Sequence, residues 1–356
     1  MIVRVPCLGR EPVVAGPGAP TRVMALTGMS HVLGYDAQAE KIDALVGLQD
    51  GPDIIADLSI VGSQRPLWKR IIELGCAAGT LLVYTVSRNN GRIDPDELFD
   101  IALEQMANGV GLLTIHPTPT KELVDAAQKR IVPWTSRGGG LIITDLIASQ
   151  SQDNAYKKIL PDLVAAALRH GAVLSIGATF RSANIFDSLD RVQQAEIEAQ
   201  LTLASEIAEA GVGIIIESPG HARPADIIAC ARRLAKSGFP IMPLGPIPTD
   251  IAIGWDHVAA AIGATLMGIE GGTHILAAVT REEHAGNVPT LESTLEAVRT
   301  ARIAAHVIDI HQLAATDSDA RVVTQRAEHH TCVAGKQSSG CSRCATTCPL
   351  ERHPWT

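Results

Sequence analysis

Close to its C-terminal end the chain carries Cys341, Cys344 and Cys348 in the pattern C-x2-C-x3-C, followed by Pro349. Three thiolates at this spacing can ligate three irons of a [4Fe–4S] cluster. The fourth iron then stays open to a small molecule, such as the amino-carboxylate end of S-adenosylmethionine (SAM). The same donors suit a zinc-binding tail, with Cys332, His329 or His330 as a fourth ligand. Spacing alone does not separate iron from zinc.

Other residue groups point to a site elsewhere. Glu217 and His221 flank a Pro-Gly turn, and His284 stands in the polar run TREEHAG. Two histidines and a carboxylate are a donor set for a divalent metal, zinc or iron. Trp255-Asp256-His257 reads as a helix start with its cap. Thr135-Ser136-Arg137-Gly138-Gly139-Gly140 combines bare backbone, hydroxyls and a guanidinium, which together can cradle a phosphate, with Arg181 in support. It lacks the GK[ST] ending of a P-loop.

These residues need a scaffold that brings them to one place. Short apolar runs alternate with helical patterns from residue 22 onward, and eight of them read as strands: Arg22–Leu26, Asp53–Asp57, Thr80–Val86, Gly111–His116, Gly140–Thr144, Ala172–Ile176, Gly213–Glu217 and Ile241–Leu244. Runs apolar on both faces are what buried parallel strands require. Eight such units predict an α/β protein with a closed (β/α)8 TIM barrel. The expected organisation is an N-terminal segment (1–21), the barrel (22–270), a C-terminal helical extension (271–313) and a flexible polar arm with the cysteines (314–356). Barrel chemistry sits at the C-terminal ends of strands. Polar residues gather there: Asp57 and Ser59, Tyr84, His116, Arg181, Glu217, and Thr249-Asp250.

Composition narrows the partners. The 356 residues carry a formal net charge of −8 and only 3% aromatics, with no basic stripe, so nucleic acid is not expected. No apolar stretch reads as a membrane span and no signal peptide is evident, so a cytoplasmic, reducing setting is expected. There, clustered cysteines mean metal rather than disulfides; Cys7, Cys76 and Cys230 stand alone and read as ordinary buried thiols.

The chain resembles the phosphomethylpyrimidine synthase (ThiC) family. ESPGHARP at 217–224 is similar to that family's E-G-P-G-H-V-P, and PLGPIPTDIAIGWDH at 243–257 to its T-L-G-P-x-x-T-D-I-A-P-G-Y-D-H. TREEHAGNVP and RIAAHVIDI follow in the family's order, and TSRGGG, LTIHP and ADLS precede them. The resemblance implies a radical SAM lyase on a (β/α)8 barrel. Such an enzyme uses a [4Fe–4S] cluster, SAM and a reductant such as flavodoxin or ferredoxin. It works as a homodimer, with the cluster arm commonly supplied to the partner subunit, and its substrate is aminoimidazole ribotide. By position, Ser136, Arg137, Gly138, Gly139 and Arg181 would hold the phosphate, and Asp250 would lie near the substrate. Tyr84, His116 and Glu217 would line the reacting part. His221 and His284 would bind a divalent metal, and Cys341, Cys344 and Cys348 the cluster.

Several positions depart from the family pattern. The cysteine spacing is one residue shorter than C-x2-C-x4-C. D-G-L-R after the sixth expected strand is here Ala178-Thr179-Phe180-Arg181, which keeps the arginine and loses the aspartate. N-A-N-I-G-N becomes Ala25–Ser30, and the tyrosine near Met242 has no counterpart. The pattern predicts retained radical machinery with altered substrate contacts. Thiamin pyrimidine synthesis, 5-hydroxybenzimidazole synthesis and a paralogue with another product all remain open. So does a non-catalytic barrel that binds a phosphorylated ligand and carries a zinc tail.

Overall fold

Eight short parallel strands form the frame: β1 (Arg22–Thr27), β2 (Ile54–Asp57), β3 (Ala77–Leu81), β4 (Leu112–Ile115), β5 (Val173–Ile176), β6 (Ile214–Glu217), β7 (Ile241–Met242) and β8 (Ile275–Ala277). The structure is a computed structural model that describes residues 1–334, 343, 344, 347, 348 and 350. The strands lie side by side in the order 7-6-5-4-3-2-1-8, which makes a nearly closed TIM-type barrel. His274 bridges the seam. Its N–H donates to the Ile241 carbonyl at 2.9 Å, and the Ile241 N–H donates to its Nδ1 at 3.0 Å. A side-chain nitrogen thus takes the place of a carbonyl acceptor, and burial holds the imidazole neutral with a pKa near 4.

Helices cover the barrel: α1 (Tyr35–Val46), α2 (Leu67–Glu73), α3 (Pro95–Ala107), α4 (Lys121–Ala127), α5 (Arg137–Ser149), α6 (Ala155–His170), α7 (Arg191–Glu209), α8 (Pro224–Ala235), α9 (Asp256–Ile269) and α10 (Leu291–Leu313). Their sequences set their ends. Asp94, Thr120, Ser136, Asn154 and Asp190 each accept a first-turn N–H, and Pro95 sits at the first position of α3.

The structure corrects one expected strand. Residues 140–144 lie inside α5, because Ser136 caps a helix whose buried residues Ile142, Ile143 and Leu146 recur at helical spacing. The β-branched Ile142-Ile143-Thr144 run mimics a strand only locally. The missing strand is β8, which falls within the stretch read as a helical extension. Strand β3 also ends sooner than expected, and a 3-10 turn at Leu82–Tyr84 takes over.

An N-terminal hairpin, Val3–Val5 against Val13–Ala15, closes the end of the barrel where strands begin. Val3, Val5 and Ala15 join the inward side chains Met24, Ile54, Leu112, Val173, Ile215 and Ile275 in one apolar cluster. Gly111 and Gly213 lack a Cβ where Pro6 and Val3 press against the chain.

The chain divides into two compact units, Met1–Ile308 and Asp309–Thr356. The second holds helix α11 (Asp317–Glu328), inside the stretch read as a polar arm. Among the described residues no helix is long and apolar enough to cross a membrane.

Candidate functional site

At the C-terminal ends of the strands lies a cavity of about 260 Å³. Tyr84, His116, Ser136, Arg137, Arg181, Glu217, His221 and His284 all line it. The barrel therefore gathers most of the residues the sequence singled out.

One side is built for an anion. Ser136 caps α5: its Oγ accepts the Gly139 N–H at 3.0 Å and its carbonyl accepts the Gly140 N–H at 2.8 Å. The helix N-terminus with its partial positive charge faces the cavity. The glycines have a further, steric reason. A Cβ on Gly138 would lie 2.8 Å from the His116 ring, and one on Gly139 would lie 2.6 Å from Thr179 Oγ1. Bare backbone thus lets α5 press against the loop after β5, which carries Arg181. Arg181 donates to the Ala178 carbonyl at 3.0 Å, and Arg137 lies 5.5 Å from the centre of the Tyr84 ring. Among the described residues neither guanidinium is paired with a carboxylate, so both keep their charge for a ligand.

Beside this seat stand three buried titratable groups. His116 Nε2 lies 3.1 Å from Ser136 Oγ, and burial, helped by Arg181, pushes its pKa down to about 3. It is a neutral ring, with Nδ1 left without a hydrogen-bond partner among the described residues. A Cβ on Gly177 would collide with this ring, so that glycine gives it room. Glu217 Oε1 accepts the Thr114 and Ser175 hydroxyls, each at 3.2 Å. Burial raises its pKa and the field of Arg181 opposes the rise. Burial also raises the Tyr84 pKa, against the pull of Arg137 and Arg181.

Across the cavity His221 and His284 face each other. Their Nε2 atoms are 3.0 Å apart and their rings meet at 84°. His221 Nδ1 lies 2.6 Å from Asp250 Oδ1, and His284 Nδ1 lies 2.5 Å from Asp256 Oδ1. The two carboxylates assign the proton to Nδ1 on each ring. Both Nε2 lone pairs then converge, which is unfavourable without a cation between them. Two nitrogens on one tetrahedral zinc, at 2.0–2.1 Å each, are about 3.3 Å apart. Carboxylate–histidine pairs of this kind orient metal ligands. The residues present fit a divalent metal with open positions. Among the described residues no group of three or more His, Cys, Asp or Glu forms a complete metal site.

Some expectations change place. Asp250 has both oxygens engaged, Oδ1 with His221 and Oδ2 with the Ile185 N–H at 3.0 Å. It orients a histidine, where the resemblance had it near the substrate. Asp57 and Ser59 turn away from the cavity: Asp57 accepts the Ser59 and Trp68 N–H groups and Ser59 accepts the Met29 N–H. Cys344 and Cys348 are partly buried free thiols, and the Cys344 carbonyl accepts the Thr347 N–H at 2.9 Å. Unpaired thiols are the donors an iron–sulfur cluster needs. Cys341 lies outside the described residues.

Sequence reasoning missed Glu196, Arg130 and the pairing role of Asp256. Glu196 accepts the Thr179 N–H at 2.8 Å, the Phe180 N–H at 2.6 Å and the Thr118 hydroxyl at 2.7 Å. Arg130 donates to the Phe180 carbonyl at 2.8 Å and pairs with Asp190. Together they fix the peptide before Arg181. The signal was present in α7, whose buried face carries Gln193, Glu196 and Gln200 among apolar residues. Polar residues on a core-facing stripe mark a backbone being held.

The Radical SAM ThiC family matches residues 2–338. This chain belongs to that family. The match ends just ahead of Cys341. The phosphomethylpyrimidine synthase of Archaeoglobus fulgidus is 33% identical over 310 residues, covering 84% of this chain and 72% of that one. That of Desulforamulus reducens is 34% identical, covering 84% and 71%. The 5-hydroxybenzimidazole synthase BzaA of Moorella thermoacetica is also 33% identical, covering 84% and 71%. Family membership implies an enzyme that uses an iron–sulfur cluster and SAM.

Proposed function

We propose that this protein is a radical SAM carbon–carbon lyase acting on a phosphorylated small molecule, aminoimidazole ribotide or a relative of it, as in thiamin pyrimidine synthesis. One observation carries the reading. Two guanidiniums without carboxylate partners among the described residues and a capped helix N-terminus face one side of a cavity whose far side holds two converging imidazoles. The first group suits a phosphate and the second a divalent metal.

Cys341, Cys344 and Cys348 would hold the cluster, and His221 and His284 a zinc or iron ion. When bound and reduced, the cluster would supply the one-electron cleavage of SAM from which hydrogen abstraction starts. The rest falls to this chain's side chains. Arg137, Arg181 and the N–H groups opening α5 bind the phosphate and orient the molecule. His116, neutral and fixed by Ser136, adds a hydrogen-bonding group without charge. Glu217, with its raised pKa, takes or holds a proton during rearrangement. The barrel wall excludes water from the reacting atoms. A homodimer, a flavodoxin- or ferredoxin-type reductant and a cytoplasmic setting belong to the same reading.

The relatives named for the two activities are alike in identity, so the product is a matter for experiment. The protein is incubated anaerobically with iron, sulfide, dithionite, SAM and aminoimidazole ribotide, and products are read by mass spectrometry. Ribotide consumed with a new pyrimidine phosphate supports thiamin synthesis, and a hydroxybenzimidazole supports the second activity. Ribotide untouched while SAM is cleaved excludes it as the substrate.

A further inference from the structure

Arg181 and His221 stand on segments that touch. A Cβ on Gly220 would lie 2.5 Å from the Ser182 carbonyl oxygen and 3.2 Å from Cγ and Cδ of Arg181, so bare backbone lets the turn after β6 rest on the loop after β5. The His221 N–H donates to the Ser182 carbonyl at 2.9 Å, and the buried Ser182 hydroxyl donates back to the His221 carbonyl. The phosphate seat and the histidine pair therefore share one hydrogen-bonded stretch of backbone.

Asp250 adds a side-chain link between them. Its Oδ1 lies 2.6 Å from His221 Nδ1, and its Oδ2 accepts the Ile185 N–H, in the loop that begins at Arg181, at 3.0 Å. Asp256 is the contrasting case. Its Oδ1 lies 2.5 Å from His284 Nδ1, and its Oδ2 accepts the Gly254 N–H of its own turn at 3.3 Å. Among the described residues it has no hydrogen bond to the Arg181 loop. The two carboxylates thus do the same work for their histidines, but only Asp250 also holds the loop that carries the guanidinium.

Resting on the phosphate seat and histidine pair proposed above, we propose that Asp250 is a positioning residue that joins the two, so that a divalent metal and a phosphomonoester each bind more tightly in the presence of the other. With Nδ1 protonated on both rings, the Nε2 lone pairs repel at 3.0 Å when no cation lies between them. Rings that move apart draw Asp250 with His221, and the Ile185 N–H loses its acceptor unless the loop follows. A metal holds the rings together, keeps Asp250 against Ile185 and leaves Arg181 aimed into the cavity. Linkage makes the effect reciprocal: whatever factor the metal lends the phosphate, the phosphate lends the metal.

The test compares one coupling ratio between the parent and two matched variants. Zinc affinity is titrated against a competing chelator with and without ribose 5-phosphate, and ribose 5-phosphate affinity is read by calorimetry on zinc-loaded and zinc-free chain. The parent is expected to gain about fivefold or more, equally in both directions. Asp250→Asn and Asp256→Asn each remove one carboxylate charge beside a histidine, and each should weaken zinc about 10–100-fold. Asp256→Asn should keep the parental ratio. In Asp250→Asn an amide oxygen turned to His221 puts the NH2 against the Ile185 N–H, donor against donor, so the ratio should fall below about twofold. If Asp250→Asn does not fold, Ser182→Ala carries the comparison: a ratio below the parental one supports the joint, and an unchanged ratio overturns it. No gain in the parent overturns the proposal. Equal ratios in the two Asn variants overturn it too, since the anion then meets the metal without help from Asp250. A parent that binds neither zinc nor ribose 5-phosphate brings down the proposed function itself, whereas independent binding of both brings down only the joint.

Discussion

Replacing Glu196 with glutamine tests how the Arg181 loop is held. Oε1 of Glu196 accepts two donors, the Thr179 N–H and the Thr118 hydroxyl, while Oε2 accepts only the Phe180 N–H at 2.6 Å. A glutamine keeps its oxygen at the doubly used position. Its NH2 then faces the Phe180 N–H, donor against donor, in a fully buried place. Leaving that N–H unsatisfied costs about 1–3 kcal/mol. Charge adds a second signature. Burial outweighs these hydrogen bonds and raises the Glu196 pKa from 4.5 to about 7. The folded state therefore holds a proton that the unfolded state has lost between these values. The contribution is complete below pH 4.5, declines as pH rises, and is gone above about pH 7. A shift of this size corresponds to about 3 kcal/mol. Urea unfolding across this pH range, on protein and variant, reads both effects. Glu196→Gln should be less stable than the parent at neutral pH and should lack the decline. A variant within about 0.5 kcal/mol of the parent, with an unchanged pH slope, refutes the reasoning.

Gly139→Ala should cost about 1–3 kcal/mol by overpacking against Thr179, and Thr179→Gly in the same chain should recover part of it, as a double-mutant cycle in urea will show. His274 is neutral when folded, with a pKa depressed from 6.5 to about 4, so the stability it contributes is present above pH 6.5 and lost as pH falls through 4. His274→Leu should remove that acid sensitivity in thermal unfolding and lower stability at neutral pH by about 1–3 kcal/mol, because the Ile241 N–H loses its acceptor. Asp256→Asn should weaken divalent metal binding about 10–100-fold and His284→Ala should abolish it, measured by elemental analysis after dialysis against a range of free metal.

The alternation of apolar strands and amphipathic helices was legible because parallel strands buried on both faces have a composition nothing exposed can share. The error at residues 140–144 shows the limit. Ile-Ile-Thr favours a strand locally, but a serine cap two residues before a run of three glycines and helical spacing of buried residues decide for α5. Strand β8 is three residues long and takes its place by pairing with β1, an interaction that local sequence does not announce. In the site, Ser136, Arg137, Arg181, Glu217, His221 and His284 could be read from residue type and motif. Their partners could not. Asp256 lies 28 residues from His284 and Glu196 lies 16 from Phe180, so only the closed barrel brings them together. The same holds for Asp57 and Ser59, which look like strand-end site residues until the loop amides they bind are seen.

The most direct test of the central claim is SAM cleavage. Protein reconstituted anaerobically with iron and sulfide is mixed with dithionite and SAM, and 5′-deoxyadenosine is measured beside a Cys344→Ala variant. The account predicts iron and sulfide bound in the parent, 5′-deoxyadenosine formed there, and none from the variant, whose barrel remains folded. Zinc in place of iron and sulfide, or equal SAM cleavage by parent and variant, contradicts it.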